Sequence, residues 1–250
     1  MGLIKTAGIV TKTVKYGETS IIATVVTKEL GKISVIANGA RTGKSRFLAA
    51  MQLFAYSELV VYKSKSGKGL YRLNEASVAV SFSGIRESLE KLAYAAYFAE
   101  VINCVMPEDA PPDEELLRLF LNVLFVLEKE MEISEKIKTV FEWRIAREAG
   151  IAPLIEGCFG CGKAPSFIIP SKGTAACRDC AAGCSGAIEL SPSMFKIIDY
   201  ILNADGKKIF SFSAGEDTVK YLSRISELYL KVQLEQEFQT LEYLKKVMSI

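Results

Sequence analysis

The chain has 250 residues, of which half are apolar and about a quarter charged, and its net charge is +2. This composition is typical of a globular protein with a sizeable core, arranged as one large domain or two to three small ones. Histidine is absent, which excludes Ser-His-Asp and Cys-His catalysis and any catalytic metal site with a histidine ligand. The carboxylates form no recognisable catalytic pattern, so we expect a protein that is not an enzyme.

The charge is distributed unevenly along the chain. Residues 1–80 hold nine Lys and three Arg against four Glu and no Asp, a net charge of +8, whereas the remaining residues carry −6. A basic first third next to an acidic remainder indicates that the first third binds a polyanion. A solvated surface is the alternative, but the lack of Asp over eighty residues does not favour it.

The first eighty residues have the alternation and the β-branched content of strands. Five segments are separated by turn signals, with one longer connection at 39–52; they cover residues 8–14, 19–27, 32–37, 53–62 and 70–80. This pattern predicts a small closed β-barrel of the OB type over residues 1–81. Periodicity alone leaves an SH3-like barrel open.

From Gly84 the apolar residues recur at helical spacing, so residues 82–250 are predicted to form an all-α domain. Helices are expected from Gly84, over 116–127, from Ser134 to Gly150, from Ser191 with Pro192 at its first position, and over 216–230 and 231–248. Residues 157–186 interrupt this pattern with a short, loop-like, cysteine-rich stretch. The predicted fold class is therefore α+β and multidomain, a five-stranded OB barrel followed by a helical domain with an inserted module.

The inserted module carries two C-x2-C pairs, Cys158 with Cys161 and Cys177 with Cys180, fifteen residues apart. Two such turns can point four thiolates at one Zn²⁺ ion. Because the set is complete without an open coordination position, the zinc is predicted to be structural. Cys184 is an alternative to Cys180, and an iron–sulfur cluster is an alternative to zinc. Cys104 is expected in the core of the first long helix.

A glycine-bearing loop follows the third strand and resembles a nucleotide-binding P-loop between Gly39 and Ser45. A P-loop has four residues between its glycines and leads into a helix. Here only three residues separate Gly39 from Gly43, and strands follow. ATP binding is therefore not expected.

The same loop is basic and suits contact with nucleic acid. One cluster consists of Arg41, Lys44 and Arg46, followed by Phe47; a second, in the next hairpin, consists of Lys63, Lys65, Lys68 and Arg72 with two tyrosines. Basic side chains at a barrel rim can bind phosphates. We expect both clusters to contact DNA and the aromatic residues to pack in the core.

The order of these features resembles the RecO family of bacterial recombination mediators over essentially the whole chain. The residues that carry the resemblance are Tyr16 to Glu18, Thr27 to Lys32, Asn38 to Arg41, Lys44 to Arg46, Gly150 to Pro153, Cys158 to Gly162, and Gly173 with Cys177 and Cys180. Only the cysteine set is specific by itself, whereas the order and spacing of the whole set are more persuasive.

The resemblance implies a function in DNA repair and recombination. It implies binding to single- and double-stranded DNA, annealing of complementary strands, and loading of RecA together with RecR onto DNA coated by the single-strand-binding protein, whose C-terminal tail is a further partner. The expected location is the cytoplasm, at the nucleoid, since neither a signal peptide nor a membrane span is predicted. A zinc-ribbon protein–protein adaptor that does not bind DNA and a metal- or nucleotide-dependent enzyme remain the alternatives.

Overall fold

A computed structural model of the protein describes residues 2–63, 69–110, 114–130, 134–206 and 208–249. The chain forms two compact units, Met1–Glu130 with Thr240–Ile250, and Met131–Gln239. The first three helices after the barrel therefore belong to the same unit as the barrel. None of the helices described is both long and apolar enough to cross a membrane.

The first unit contains a closed barrel of five strands. They are β1 (Ile4–Tyr16), β2 (Ser20–Thr27), β3 (Gly31–Ala37), β4 (Tyr56–Lys63) and β5 (Leu70–Val80). The order around the barrel is β1-β2-β3-β5-β4, with a parallel pairing of β3 and β5 that closes it. This is the OB arrangement, so the predicted fold class is confirmed.

The barrel is filled by side chains that point inward from alternate strand positions. The buried residues include Val10, Ala23, Val25, Ile33, Val35, Leu59, Val61 and Tyr71. Phe47, Ala50 and Met51 from the connection between β3 and β4 belong to the same cluster. That connection therefore covers the barrel interior, and its first residues form a turn in which the Thr42 amide donates to the Gly39 carbonyl over 3.1 Å.

The described residues of the first unit also form four helices: α1 (Ser83–Glu87), α2 (Leu89–Val105), α3 (Glu114–Lys129) and α8 (Gln239–Met248). The helix predicted from Gly84 is broken at Ser88, which caps α2 by accepting a hydrogen bond from the Lys91 amide over 3.3 Å. Leu89, the first residue of α2, is about half exposed. The expectation for Cys104 is wrong, because its thiol lies on the exposed face of α2.

The second unit combines helices with a small sheet. The helices are α4 (Glu135–Glu148), α5 (Arg178–Ala181), α6 (Pro192–Asn203) and α7 (Glu216–Leu234). The strands are β6 (Leu154–Cys158), β7 (Phe167–Ile169), β8 (Thr174–Ala176) and β9 (Ile188–Glu189), in the order β6-β8-β7-β9. The cysteine-rich stretch, expected to be loop-like, therefore contains two of these strands and helix α5. Trp143 of α4 is fully buried against Tyr229 of α7, with ring centroids 5.2 Å apart.

The predicted start of α6 is confirmed, and its capping residue allows a measurement of how much the cap stabilises the second unit. The Ser191 hydroxyl accepts a hydrogen bond from the Met194 amide over 3.3 Å, and Pro192 occupies the first helical position. We expect Ser191→Ala to lower the free energy of unfolding by about 1 kcal/mol. Trp143 is the only tryptophan of the chain, so its fluorescence in a denaturant titration reports this unit. Ser185→Ala, on an exposed residue, is the control, and equal stabilities of the two variants would contradict the capping role.

Candidate metal centre and nucleic-acid interface

Four cysteine thiols meet at one point of the second unit. The sulfurs of Cys158, Cys161, Cys177 and Cys180 all lie within 4.8 Å of one another. A tetrahedron of thiolates at 2.3 Å from a central Zn²⁺ has edges of about 3.8 Å. The Cys161 and Cys177 sulfurs are 3.6 Å apart, which is much longer than a disulfide bond and close to that edge. The four residues that the spacing singled out can therefore hold a metal ion.

The first C-x2-C pair is shaped by a tight backbone turn. The Gly162 amide donates to the Cys158 carbonyl over 2.9 Å, and the Cys158 amide donates to the Lys163 carbonyl over 2.8 Å. Gly162 has a φ of 71°, a left-handed conformation that favours glycine. A Cβ on Gly160 would lie 3.0 Å from the Cys180 sulfur, so a side chain there would press on the site. The glycines of this motif thus leave room for the sulfurs.

The thiols of Cys158 and Cys180 differ in their readiness to ionise. Hydrogen bonds from the backbone amides of Cys177, Gly160 and Cys161 stabilise the Cys158 thiolate and lower its pKa to about 6. Hydrogen bonds with the neighbouring sulfurs, first that of Cys158, raise the pKa of Cys180 to about 12. Four thiolates repel one another at this spacing, and a divalent cation at their centre compensates that repulsion.

The module around the thiols has little core of its own. Its buried cluster consists of Cys158, Ile169, Ala176, Cys177 and Ala181, so two of the five buried residues are metal-ligand candidates. A cluster of this size contributes little hydrophobic stabilisation. A metal ion held by the four sulfurs would add stability that this small core does not supply.

Cys184 lies beside the four thiols without belonging to their group. Its sulfur is 3.6 Å from the Cys180 carbonyl oxygen, to which it donates, and 3.5 Å from the Lys172 ammonium. The structure thus groups Cys180 with the other three sulfurs, as the sequence spacing predicted, and leaves Cys184 outside the group.

The candidate nucleic-acid interface lies on the barrel, where Arg41 has a structural task. Its guanidinium donates to the Glu18 carbonyl over 3.0 Å and to the Gly17 carbonyl over 3.5 Å. Its amide donates to the Thr19 carbonyl over 2.8 Å. Arg41 therefore ties the loop after β3 to the turn between β1 and β2, while its side chain remains exposed.

The other predicted contacts near this loop are exposed. Lys44 has no carboxylate within ion-pair distance among the residues described. The Arg46 guanidinium donates to the Asn74 carbonyl of β5 over 3.0 Å and lies 4.8 Å from the Phe47 ring centroid. Arg72 is exposed on the outer face of β5. The structure thus brings Arg46 next to the strand that carries Arg72.

The second predicted cluster is placed differently. Lys63 forms a 2.7 Å ion pair with Asp109, which also accepts a hydrogen bond from Tyr71 over 2.8 Å. The hydrogen bond from Lys63, followed by that from Tyr71, lowers the pKa of Asp109. The charge of Lys63 is therefore already compensated. Lys65 and Lys68 lie outside the described residues.

The aromatic residues of the two basic clusters are buried or half-buried, whereas Tyr16, at the end of β1, is exposed. Phe47 and Tyr71 are buried in the barrel core, as expected, and Tyr62 is half-buried. Tyr16 and Val14, at the end of β1, are 55% and 53% exposed. From the sequence, Tyr16 is named only among the residues that carry the family resemblance. Its position before a glycine turn, among lysines, was the available signal.

Comparison with known proteins covers nearly the whole chain. The model of the recombination protein O N-terminal domain matches residues 1–82, and that of the C-terminal domain matches residues 86–242. A DNA repair protein RecO from Acetivibrio thermocellus is 37% identical over 98% of this chain and 97% of its own length. One from Alkaliphilus metalliredigens is 33% identical over 98% of this chain and 100% of its own. On these matches, together with the barrel, the helices and the four-thiol cluster, the chain belongs to the RecO family.

Proposed function

We propose that this protein is a recombination mediator in DNA repair. In this role it binds single- and double-stranded DNA and promotes annealing of complementary strands. With RecR, it helps to load RecA onto DNA coated by the single-strand-binding protein. Membership of the RecO family supports the repair role, and the observation that carries DNA binding is the exposed basic loop on an OB barrel with a net charge of +8 in its first eighty residues.

The DNA-contacting residues in this proposal are Arg41, Lys44, Arg46 and Arg72, with Lys65 and Lys68 from the sequence between β4 and β5. Lys63 has less support, because Asp109 already neutralises it. Binding phosphates of two strands lowers their mutual repulsion and allows complementary bases to meet. This chemistry requires no bond to be broken, in keeping with a protein that is not an enzyme.

The ion held by Cys158, Cys161, Cys177 and Cys180 is proposed to be a structural Zn²⁺. Four sulfur donors from two C-x2-C turns suit zinc, and their spacing fits its tetrahedron. Zinc would supply no reaction here; it would hold together a module whose own core is small.

A mediator of this type acts in the cytoplasm, at the nucleoid. Its protein partners are RecR and the C-terminal tail of the single-strand-binding protein, and RecA is reached indirectly.

Annealing is the test that separates this function from its alternative. Two complementary oligonucleotides, labelled as a fluorescence donor and acceptor, are mixed with and without single-strand-binding protein. We expect the purified protein to accelerate pairing in both conditions, and non-complementary strands of equal length to give no signal. An adaptor that acts only on proteins would neither anneal nor retard DNA at low salt, and that result would overturn the proposal.

A further inference from the structure

The end of the β1–β2 hairpin exposes an aromatic and an aliphatic side chain together. Tyr16 and Val14 are 55% and 53% exposed. Side chains alternate along a strand, so Lys12 shares their outer face, whereas Lys15 lies on the other. Scattered apolar residues on a surface need no explanation. Here two of them share one strand face with Lys12, next to Lys15, at the end of β1. They form a small amphipathic surface, which we call the hairpin tip (Lys12 to Tyr16).

The hairpin tip is held on the barrel by its pairing with β2 and by hydrogen bonds to its turn. The turn that follows Tyr16 contains Gly17, whose φ of 57° suits a left-handed turn residue. Arg41 fastens that turn through hydrogen bonds to the carbonyls of Gly17, Glu18 and Thr19. A side chain presented by a rigid backbone loses less conformational entropy on binding than one on a free loop.

Within the described part of the chain, the lysines of the hairpin tip lack the carboxylate partners that lysines at the other end of the barrel have. At the other end, Lys28, Lys32 and Lys63 each form an ion pair with a carboxylate. Among the described residues, Lys12 and Lys15 have no carboxylate within ion-pair distance, like Lys44. Lysines without a carboxylate partner therefore lie on the same strand as the exposed aromatic ring, with a single carboxylate, that of Glu18, in the turn that follows. This combination is complementary to a ligand with both phosphates and flat apolar faces.

We propose that Tyr16 stacks on an unpaired base of single-stranded DNA, with phosphates of the same strand at Lys12 and Lys15. This inference rests on the proposed DNA-binding function and assigns the residue that distinguishes a single strand from a duplex. In a duplex the flat faces of the bases are covered by their neighbours, whereas in a single strand they are available for stacking on aromatic side chains. Val14, beside Tyr16, extends the apolar surface.

The test compares Tyr16→Ala with Tyr16→Phe on single-stranded and duplex oligonucleotides of one sequence. By fluorescence anisotropy, we expect Tyr16→Ala to weaken single-strand binding about tenfold and duplex binding less than about twofold. Tyr16→Phe keeps the ring and should keep the affinity. A 2-aminopurine base in the single strand should be quenched by the wild type and by Tyr16→Phe, but not by Tyr16→Ala. Since no charge is removed, the salt dependence should not change.

Tyr243→Ala is the matched control, because Tyr243 is another exposed tyrosine, 46% accessible on α8; it should leave both affinities unchanged. If Tyr16→Ala unfolds at a lower temperature than the wild type, Tyr16→Leu, which keeps apolar bulk without a ring, replaces it. A wild type that binds neither oligonucleotide would overturn the proposed function itself. A wild type that binds both, with a Tyr16→Ala variant that binds and quenches equally well, would overturn only the role of Tyr16. Equal losses on single strand and duplex would also overturn it.

Discussion

We expect Cys158→Ser to remove the bound metal and to unfold the cysteine module. Its sulfur lies within 4.8 Å of the three others and is buried in a cluster that contains only five buried residues. Structural Zn²⁺ binds with an apparent free energy of about 10 kcal/mol or more, so the loss of one ligand cannot be offset by so small a core. The wild type should contain one zinc per chain by elemental analysis, and the variant much less than one.

The unfolding of the module can be observed by limited proteolysis. Trypsin cleaves after Lys163, Lys172 and Arg178, which all lie within the module. Because proteolysis follows the population of the open form, the variant should be cut at these sites at least about tenfold faster, and chelation of the wild type should have the same effect.

Two other cysteines provide matched controls for the metal site. Cys104 is exposed on a helix of the other unit, and Cys184 lies in the module outside the four-thiol group. Serine at either position should leave one zinc per chain and the tryptic pattern of the wild type. If Cys184→Ser lost the metal while Cys180→Ser kept it, Cys184 would be the fourth ligand. An iron content with visible absorbance would exclude structural zinc.

The second large effect is expected from the triple variant Arg41→Ala, Lys44→Ala, Arg46→Ala. Each phosphate contact to a single strand contributes about 0.7 to the slope of log affinity against log salt, so three lost contacts should lower that slope by about 2. At low salt the affinity for DNA should fall by at least about tenfold. The measurement is an anisotropy titration at several salt concentrations.

The three residues have different surroundings, so the loss of charge can be separated from the loss of a structural contact. Arg41 also holds the β1–β2 turn, so the double variant of Lys44 and Arg46 tests charge alone and should show about two thirds of the slope change of the triple variant. A variant of equal charge change, Lys129→Ala with Lys196→Ala and Lys246→Ala, alters exposed residues of the helices and should bind nearly as the wild type does. An unchanged affinity and salt slope in the triple variant would exclude this loop as the interface.

Much of the fold was accessible from local sequence patterns. Strand alternation, helical spacing and turn residues act over a few positions, and they predicted five strands and most helices close to where they lie. The helical spacing did not reveal a break at Ser88. This residue caps α2, so that one predicted helix is two helices in the structure. The short strands in and beside the cysteine module, of two to five residues each, were too brief to give a periodic signal.

Buried polar pairs were inaccessible from the sequence, because they depend on contacts between distant segments. Lys138 and Glu142 are four positions apart on α4 and form an ion pair in which both side chains are buried. Ser226, 84 positions after Glu142, donates to the Glu142 carboxylate over 2.6 Å. Such a pair is stable only where other groups satisfy both charges.

The sequence by itself determined the barrel, the helices and the four-cysteine set, because each is specified by the order and spacing of residues near one another. The tertiary structure decided which basic residues remain available. It paired Lys63 with Asp109, 46 positions later, and it turned Arg41 into the clamp of a hairpin whose Tyr16 stands exposed. The sequence gives the number of charged residues, but which of them form ion pairs depends on contacts between segments that are distant in the chain.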